Sequence, residues 1–152
     1  MKVVDLAVIG AGLSGCSLLA RLHQLGIQGS MAVVEAGRGP GGRTATRRRR
    51  DDQTWRLDHG APGFNVRAPG SSGVEAILAP LRSNGTLKRE WGLFKGLDHN
   101  GRLVEVPEEK LLEGEWLRGH PTMASVCEGL LEQASSSLKR LYGCRIRRLK
   151  KN

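Results

Sequence analysis

Residues 3–35 read VVDLAVIGAGLSGCSLLARLHQLGIQGSMAVVE, and the spacing of glycines and apolar positions in this stretch decides the fold. Val3 to Ile9 is a short run rich in Val and Ile that ends in Gly, which predicts a buried strand. From Leu13 to Leu25 the residues Leu18, Leu19, Leu22 and Leu25 recur at helical spacing, with Gly26 placed to stop the helix. Ser30 to Glu35 is a second strand, Met31-Ala32-Val33-Val34, that closes on a carboxylate. Together these form a βαβ unit, whose parallel strands imply a right-handed crossover and further strands elsewhere.

The turn between the first strand and the helix, Gly10-Ala11-Gly12-Leu13-Ser14-Gly15, fits GxGxxG. Such a string is weak evidence alone, but here a strand precedes it and a helix follows. Gly10 suits a tight turn, Gly12 lets backbone N–H groups reach a pyrophosphate, and Gly15 lets the helix lie close to the strand. Amides and dipole at the helix start then attract the anion. Glu35 stands twenty residues past Gly15, where a carboxylate accepts hydrogen bonds from a ribose diol and repels a 2′-phosphate. FAD or NAD is therefore favoured over NADP.

The next segment separates those two. Glu35-Ala36-Gly37-Arg38-Gly39-Pro40-Gly41-Gly42-Arg43-Thr44-Ala45-Thr46 resembles the RxxGGRxx[ST] signature of the amine-oxidase and glutathione-reductase-like flavoproteins, matching at Arg38, Gly41, Gly42, Arg43 and Thr46. A glycine pair brings backbone against a cofactor, and a guanidinium pairs with phosphate bidentately. Leu57-Asp58-His59-Gly60-Ala61-Pro62-Gly63-Phe64 resembles the segment that follows this signature in renalase-like NAD(P)/FAD-dependent oxidoreductases. Gly119-His120-Pro121-Thr122-Met123 is similar to their turn into a later helix, and Cys144 to Leu149 to a strand that touches adenine near Ile146.

The resemblance implies an α/β protein with a Rossmann-like FAD-binding βαβ domain, cut short, and part of an α+β substrate domain. Residues 1–65 would be the FAD-binding segment, 66–140 the partial substrate-domain segment, and 141–152 a strand returning to the FAD domain. By the same resemblance Gly10, Gly12, Leu13, Ser14, Gly15, Glu35, Ala36, Arg38, Gly42, Arg43, Gly60, Ala61 and Ile146 would contact FAD. His59 would lie near the flavin end as a candidate for proton transfer, and no other residue is assigned a catalytic role. Hydride would pass from a reduced nicotinamide-like or amine substrate to the flavin, which O₂ commonly reoxidises. Family members continue with a β-meander, the rest of the substrate domain and a Gly-rich segment over the flavin. A chain ending at Asn152 would leave an unpaired sheet edge, through which it could associate with a partner. The alternative expectation is a non-catalytic FAD- or nucleotide-binding fragment of a truncated or split flavoprotein.

Elsewhere Ser72-Gly73-Val74-Glu75 has the form of a capping box, opening a helix with Val74, Ile77, Leu78 and Leu81 inward and Asn84-Gly85 at its end. Leu57 to Phe64 is too broken by Gly and Pro for a regular element. Trp91 to Val106, around Asn100-Gly101, suggests a hairpin. After Pro121 the stripe Met123, Val126, Cys127, Leu130, Leu131 and Ala134 predicts a core-packed helix, and Cys144 to Leu149 alternates like a strand.

The 152 residues carry a net charge of +9, concentrated in Arg47 to Arg50 and in the tail from Lys139 to Lys151. That balance would suit a polyanion, but no nucleic-acid module accompanies it, and three Trp, two Phe and one Tyr make a poor stacking surface. A solvated basic surface with no nucleic-acid partner is the expectation. Cys16, Cys127 and Cys144 show neither CxxC nor zinc-ligand spacing, which predicts reduced thiols in a cytoplasmic protein and no metal. No stretch has the length of a membrane span. Leu13-Ser14-Gly15-Cys16 looks like a lipoprotein cleavage site, but Asp5 interrupts the apolar region, and the glycine spacing has its other explanation.

Overall fold

The computed structural model describes residues 3–52, 54–89, 95–105 and 114–150. The βαβ unit forms as β1 (Leu6–Ile9), α1 (Leu13–Gln24) and β2 (Met31–Val34). β1 and β2 are parallel, with Leu6 opposite Met31 and Ile9 opposite Val34. At the end of α1 the Gly26 N–H donates to the His23 carbonyl and the Ile27 N–H to that of Leu22, a Schellman closure. Asp5 ties the two strand starts together by accepting from the Ser30 N–H and hydroxyl, each at 2.7 Å.

β2 is the centre of the sheet and all four of its residues are buried. Its far edge is taken by β10 (Lys139–Leu141), also parallel, giving the order β1-β2-β10. This third strand differs from the expectation, because Cys144 to Leu149 forms no regular element. Lys139-Arg140-Leu141 shows no apolar alternation. What makes it a strand is the free edge of β2, whose N–H and C=O groups it pairs.

Beyond β2 the chain makes a 3₁₀ turn (Gly42–Thr44) and a hairpin of β3 (Thr46–Arg48) with β4 (Arg56–Asp58). β5 (Phe64–Val66), β6 (Leu87–Arg89) and β9 (Glu115–Gly119) form an antiparallel sheet in the order β5-β9-β6. The segment expected to be irregular, Leu57 to Phe64, therefore lies between β4 and β5 and contributes residues to both. Its glycines and prolines mark the short connection and leave the flanking strands intact. β7 (Lys95–Leu97) and β8 (Leu103–Glu105) pair around Asn100-Gly101 as the expected hairpin, and residues 91–94 and 106 of the expected span lie outside the described residues.

α2 (Ser72–Ser83) buries Leu78 and Leu81, with Val74 and Ile77 partly covered. The capping box does not form, since Ser71 is the N-cap and caps with its backbone carbonyl alone. One Glu75 carboxylate oxygen takes the Arg82 guanidinium at 2.5 Å, a charge-assisted bond, and the other accepts from the Gly70 N–H at 3.3 Å, ahead of the N-cap. α3 (Ala124–Glu132) carries the expected stripe, and every residue from Met123 to Leu131 except Glu128 is buried. α1, α2 and α3 meet in one apolar core with β1, β2, β6 and β9.

Two leucines of the expected helical stripe depart from expectation, Leu25 being the C-cap of α1. Leu18 and Leu25 are 47% and 57% exposed, while the small residues Cys16 and Ala20 are buried beside Leu19. Small side chains let α1 and α3 approach closely, and that approach, rather than the larger leucines, sets which face turns inward.

Candidate functional site

The site grows from the meeting of two loops. The Gly41 N–H donates to the Ala11 carbonyl at 2.8 Å, and Gly12 and Gly41 form an isolated parallel bridge. This pairing seats the Gly41-Gly42-Arg43 turn on the Gly10–Gly15 loop. The turn is pinned from beneath: the Thr44 hydroxyl donates to the Gly41 carbonyl at 2.8 Å and lies 3.5 Å from the Cys127 thiol of α3. Cys127 also neighbours Cys16, so the fold brings together two thiols far apart in sequence, and both are free. The hydrogen bond between them and burial hold the Cys16 thiol well above its ordinary range, which keeps it protonated.

A cavity of about 610 Å³ opens at this junction. Gly10, Gly12, Leu13, Ser14, Gly15, Gly42, Arg43 and Ala61 of the expected contacts line it. Gly41, Thr44, Gly63 and Phe64 line it too and were not expected, because only the tertiary fold places them there. Two glycines here are demanded by close approach. A Cβ on Gly15 would stand 2.2 Å from the Gly10 carbonyl oxygen, and one on Gly60 would stand 2.0 Å from that of Arg43. Gly12 is different, since a Cβ there would meet nothing nearer than the Gly42 Cα at 3.8 Å. The packing around it does not require glycine there.

Glu35 lies at the end of β2 with its carboxylate held by two backbone amides, Ala11 at 2.9 Å and Gly37 at 2.6 Å. Its own backbone pairs with Leu141 and Cys144, and Gly37 accepts from the Gly143 N–H at 2.7 Å. The strand-end backbone beside Glu35 is thus Leu141 to Cys144, while Ile146, expected near adenine, is 43% exposed beyond it. Ala36 is exposed on the loop.

A second cavity, about 520 Å³, lies on the other side of the Gly41-Gly42 turn. Glu35 and Arg38 line it with Arg47, Arg48, Arg49 and Arg50. His59 lines this cavity and not the first, and its Nδ1 donates to the Ala45 carbonyl at 2.8 Å. Beside this second cavity, which Thr46 and Ala124 line, a small network holds the start of α3. Asp58 accepts from the Thr46 hydroxyl at 2.6 Å and from the Met123 N–H at 3.2 Å, and Thr46 accepts from the Ala124 N–H at 3.2 Å. Thr46, the last match to the flavin signature, therefore caps a helix by a tertiary contact.

Among the described residues no three His, Cys, Asp or Glu side chains stand close enough to hold a metal ion, and no helix is long and apolar enough to cross a membrane.

A parallel βαβ unit with a glycine cradle at the carboxyl ends of its strands defines a Rossmann-like dinucleotide-binding fold. Residues 8–78 match the family model of the NAD(P)-binding Rossmann-like domain. No curated protein matches the chain. Among solved structures, PqsL of Pseudomonas aeruginosa, described as a probable FAD-dependent monooxygenase, is similar over 98% of this chain and 35% of its own, with 17% identity and a TM-score of 0.51. PqsL in complex with 2-aminobenzoylacetate gives 98%, 36%, 18% and 0.53 in the same order. A putrescine oxidase variant is similar over 68% of this chain and 21% of its own, with 26% identity and a TM-score of 0.43. The chain spans little more than a third of PqsL, with which it shares a fold.

Proposed function

We propose that this chain is the dinucleotide-binding part of a renalase-like, FAD-dependent oxidoreductase in which hydride passes to flavin from a reduced nicotinamide-like or amine substrate. One observation carries the reading: the Gly41–Ala11 hydrogen bond seats a glycine-arginine turn on the glycine loop, with a cavity at the junction. The donor set suits the cofactor. Backbone N–H groups from Gly12 to Gly15 would hold the pyrophosphate at the start of α1. Arg43, which has no acidic partner among the described residues, would pair with a phosphate. An ionised carboxylate accepts about four hydrogen bonds, so Glu35, with two taken, retains capacity for a ribose diol. Ala36, Arg38 and Ile146 would complete the adenosine end, and Gly42, Gly60 and Ala61 would stand toward the flavin. Bound flavin supplies the hydride acceptor. His59 is left without a catalytic assignment.

The reading places the chain in the cytoplasm with a small-molecule substrate and no nucleic-acid or membrane partner. Among the described residues β1 and β10 are the sheet edges, where a partner would add. A second reading is FAD or nucleotide binding without turnover, favoured because the lining of the glycine cavity holds neither a carboxylate nor an imidazole.

The test is the absorption spectrum of the purified chain. Flavin bands that bleach with a reduced nicotinamide or an amine, and that Gly12→Val removes while far-UV circular dichroism is unchanged, support oxidoreduction. Bands that never bleach support the second reading. A colourless protein with no affinity for added FAD overturns both.

A further inference from the structure

We propose that Cys16 and Cys127 form a dithiol site, which a small hydroperoxide oxidises to a disulfide joining α1 to α3 beneath the glycine turn. Far apart in sequence, the two thiols are hydrogen-bonded to each other where α1 packs on α3. Both are free and fully buried, whereas Cys144 is exposed. Cys16 lies in the first turn of α1, its N–H donating to the Gly12 carbonyl at 3.0 Å. Cys127 lies 3.5 Å from the Thr44 hydroxyl and 4.0 Å from the Gly41 carbonyl, and both of those residues line the glycine cavity. A small oxidant entering that cavity therefore meets Thr44, which touches the Cys127 sulfur, while a bulky one is kept from a covered thiol.

The two thiols are not equivalent. The hydrogen bond from Cys16 holds the Cys127 thiol below its ordinary range, while the same bond and burial push Cys16 up. The thiolate is the nucleophile toward a peroxide, so Cys127 attacks and Cys16 resolves. The Cys127 sulfur bonds to the terminal peroxide oxygen as the O–O bond breaks, which leaves a sulfenic acid and releases an alcohol once protonated. The Cys16 sulfur then attacks that of Cys127, the S–O bond breaks, and hydroxide leaves with the Cys16 proton as water. Two thiols together lose two electrons and two protons, and the peroxide is reduced to an alcohol and water. No step needs the flavin, so the site stands or falls apart from the flavin reading.

The test treats the full folded chain carrying Cys144→Ser with hydrogen peroxide, then alkylates it in denaturant and maps its peptides by mass spectrometry. The Cys16 and Cys127 peptides should be found linked, with both thiols lost to alkylation and both restored by dithiothreitol. In Cys16→Ser, dimedone should trap a sulfenic acid on Cys127. In Cys127→Ser, oxidation of Cys16 should slow at least about tenfold, because the attacking thiolate is gone. Should either serine variant lose its far-UV circular dichroism, the peptide map of the Cys144→Ser chain decides alone. The proposal is overturned if both thiols remain alkylatable at a peroxide dose that oxidises Cys144 in the unsubstituted chain. A link that forms only in urea, or separate sulfinic acids without a link, overturns it equally.

Discussion

The two cavities flanking the Gly41-Gly42 turn are built from different materials. One is walled mainly by glycine backbone and apolar side chains, with Arg43 the single ionisable group among its described lining residues. The other is walled by five arginines on exposed backbone. In the first, geometry depends on main-chain atoms packed too closely for a Cβ, so a change there disturbs the fold itself. In the second, side chains that reach solvent do the lining, so a change there alters charge and leaves the core intact. Backbone-built recognition is rigid and intolerant, whereas side-chain-built recognition is adjustable.

The largest effect that tests this contrast is Gly15→Ala. With a Cβ 2.2 Å from the Gly10 oxygen, α1 must move away from β1, at a cost of about 3 kcal/mol in urea unfolding. Gly12→Ala should cost less than about 1 kcal/mol by the same measurement while still weakening FAD binding, because its obstruction is to the ligand. If the two substitutions destabilise equally, the distinction between fold glycine and ligand glycine is lost.

A second substitution probes the helix cap beside the arginine-lined cavity. Asp58→Ala leaves the Met123 N–H without its acceptor and frees Thr46, which should cost about 1–2 kcal/mol in thermal or urea unfolding. Thr46→Ala should lose part of that same stability, and the double variant should fall short of the sum. Strict additivity would mean that the two residues do not act as one cap.

On the arginine side the effects shrink. The Arg48–Glu128 pair has side chains 41% and 38% exposed, so a double-mutant cycle should give only about 0.2–0.5 kcal/mol, falling as salt rises. A coupling several times larger would show that this wall is as structural as the cradle.

The smallest effect sits at the edge of the βαβ unit. Hydrogen bonds from the Ser30 side chain and backbone hold the exposed Asp5 carboxyl below its ordinary value near 3.8. A lowered folded-state value means that its contribution is present above the unfolded value and is lost as pH falls through the lowered one. Asp5→Asn should therefore have a slightly lower urea midpoint than the parent at neutral pH, and the two should converge below about pH 4. A difference independent of pH would assign the effect to something other than this ionisation.

Much of the cradle was legible in residues 3–46, since glycine spacing, strand composition and Glu35 act within one local unit. The helix after Pro121 was legible for a related reason: its apolar stripe is the same wherever the helix packs. Readings failed where the partner lay elsewhere in the chain. Ser72 and Glu75 had the spacing of a capping box, but the helix took Ser71 as its N-cap and Glu75 divides between Arg82 and the Gly70 N–H. Lys139 to Leu141 lacked any strand pattern until β2 offered an edge. Leu18 and Leu25 outweighed Cys16 and Ala20 by hydrophobicity, but close helix contact favours small side chains.

The sequence by itself determined the βαβ unit and the glycine loop at its first turn, because turn geometry, helix spacing and strand composition are properties of neighbouring residues. Only the tertiary structure decided that Gly41 pairs with Ala11, that Thr46 and Asp58 cap α3, and that Arg38 and Arg47 wall one cavity. Those contacts join segments separated by many residues, and short-range spacing holds no record of which distant backbone or charge will arrive beside it.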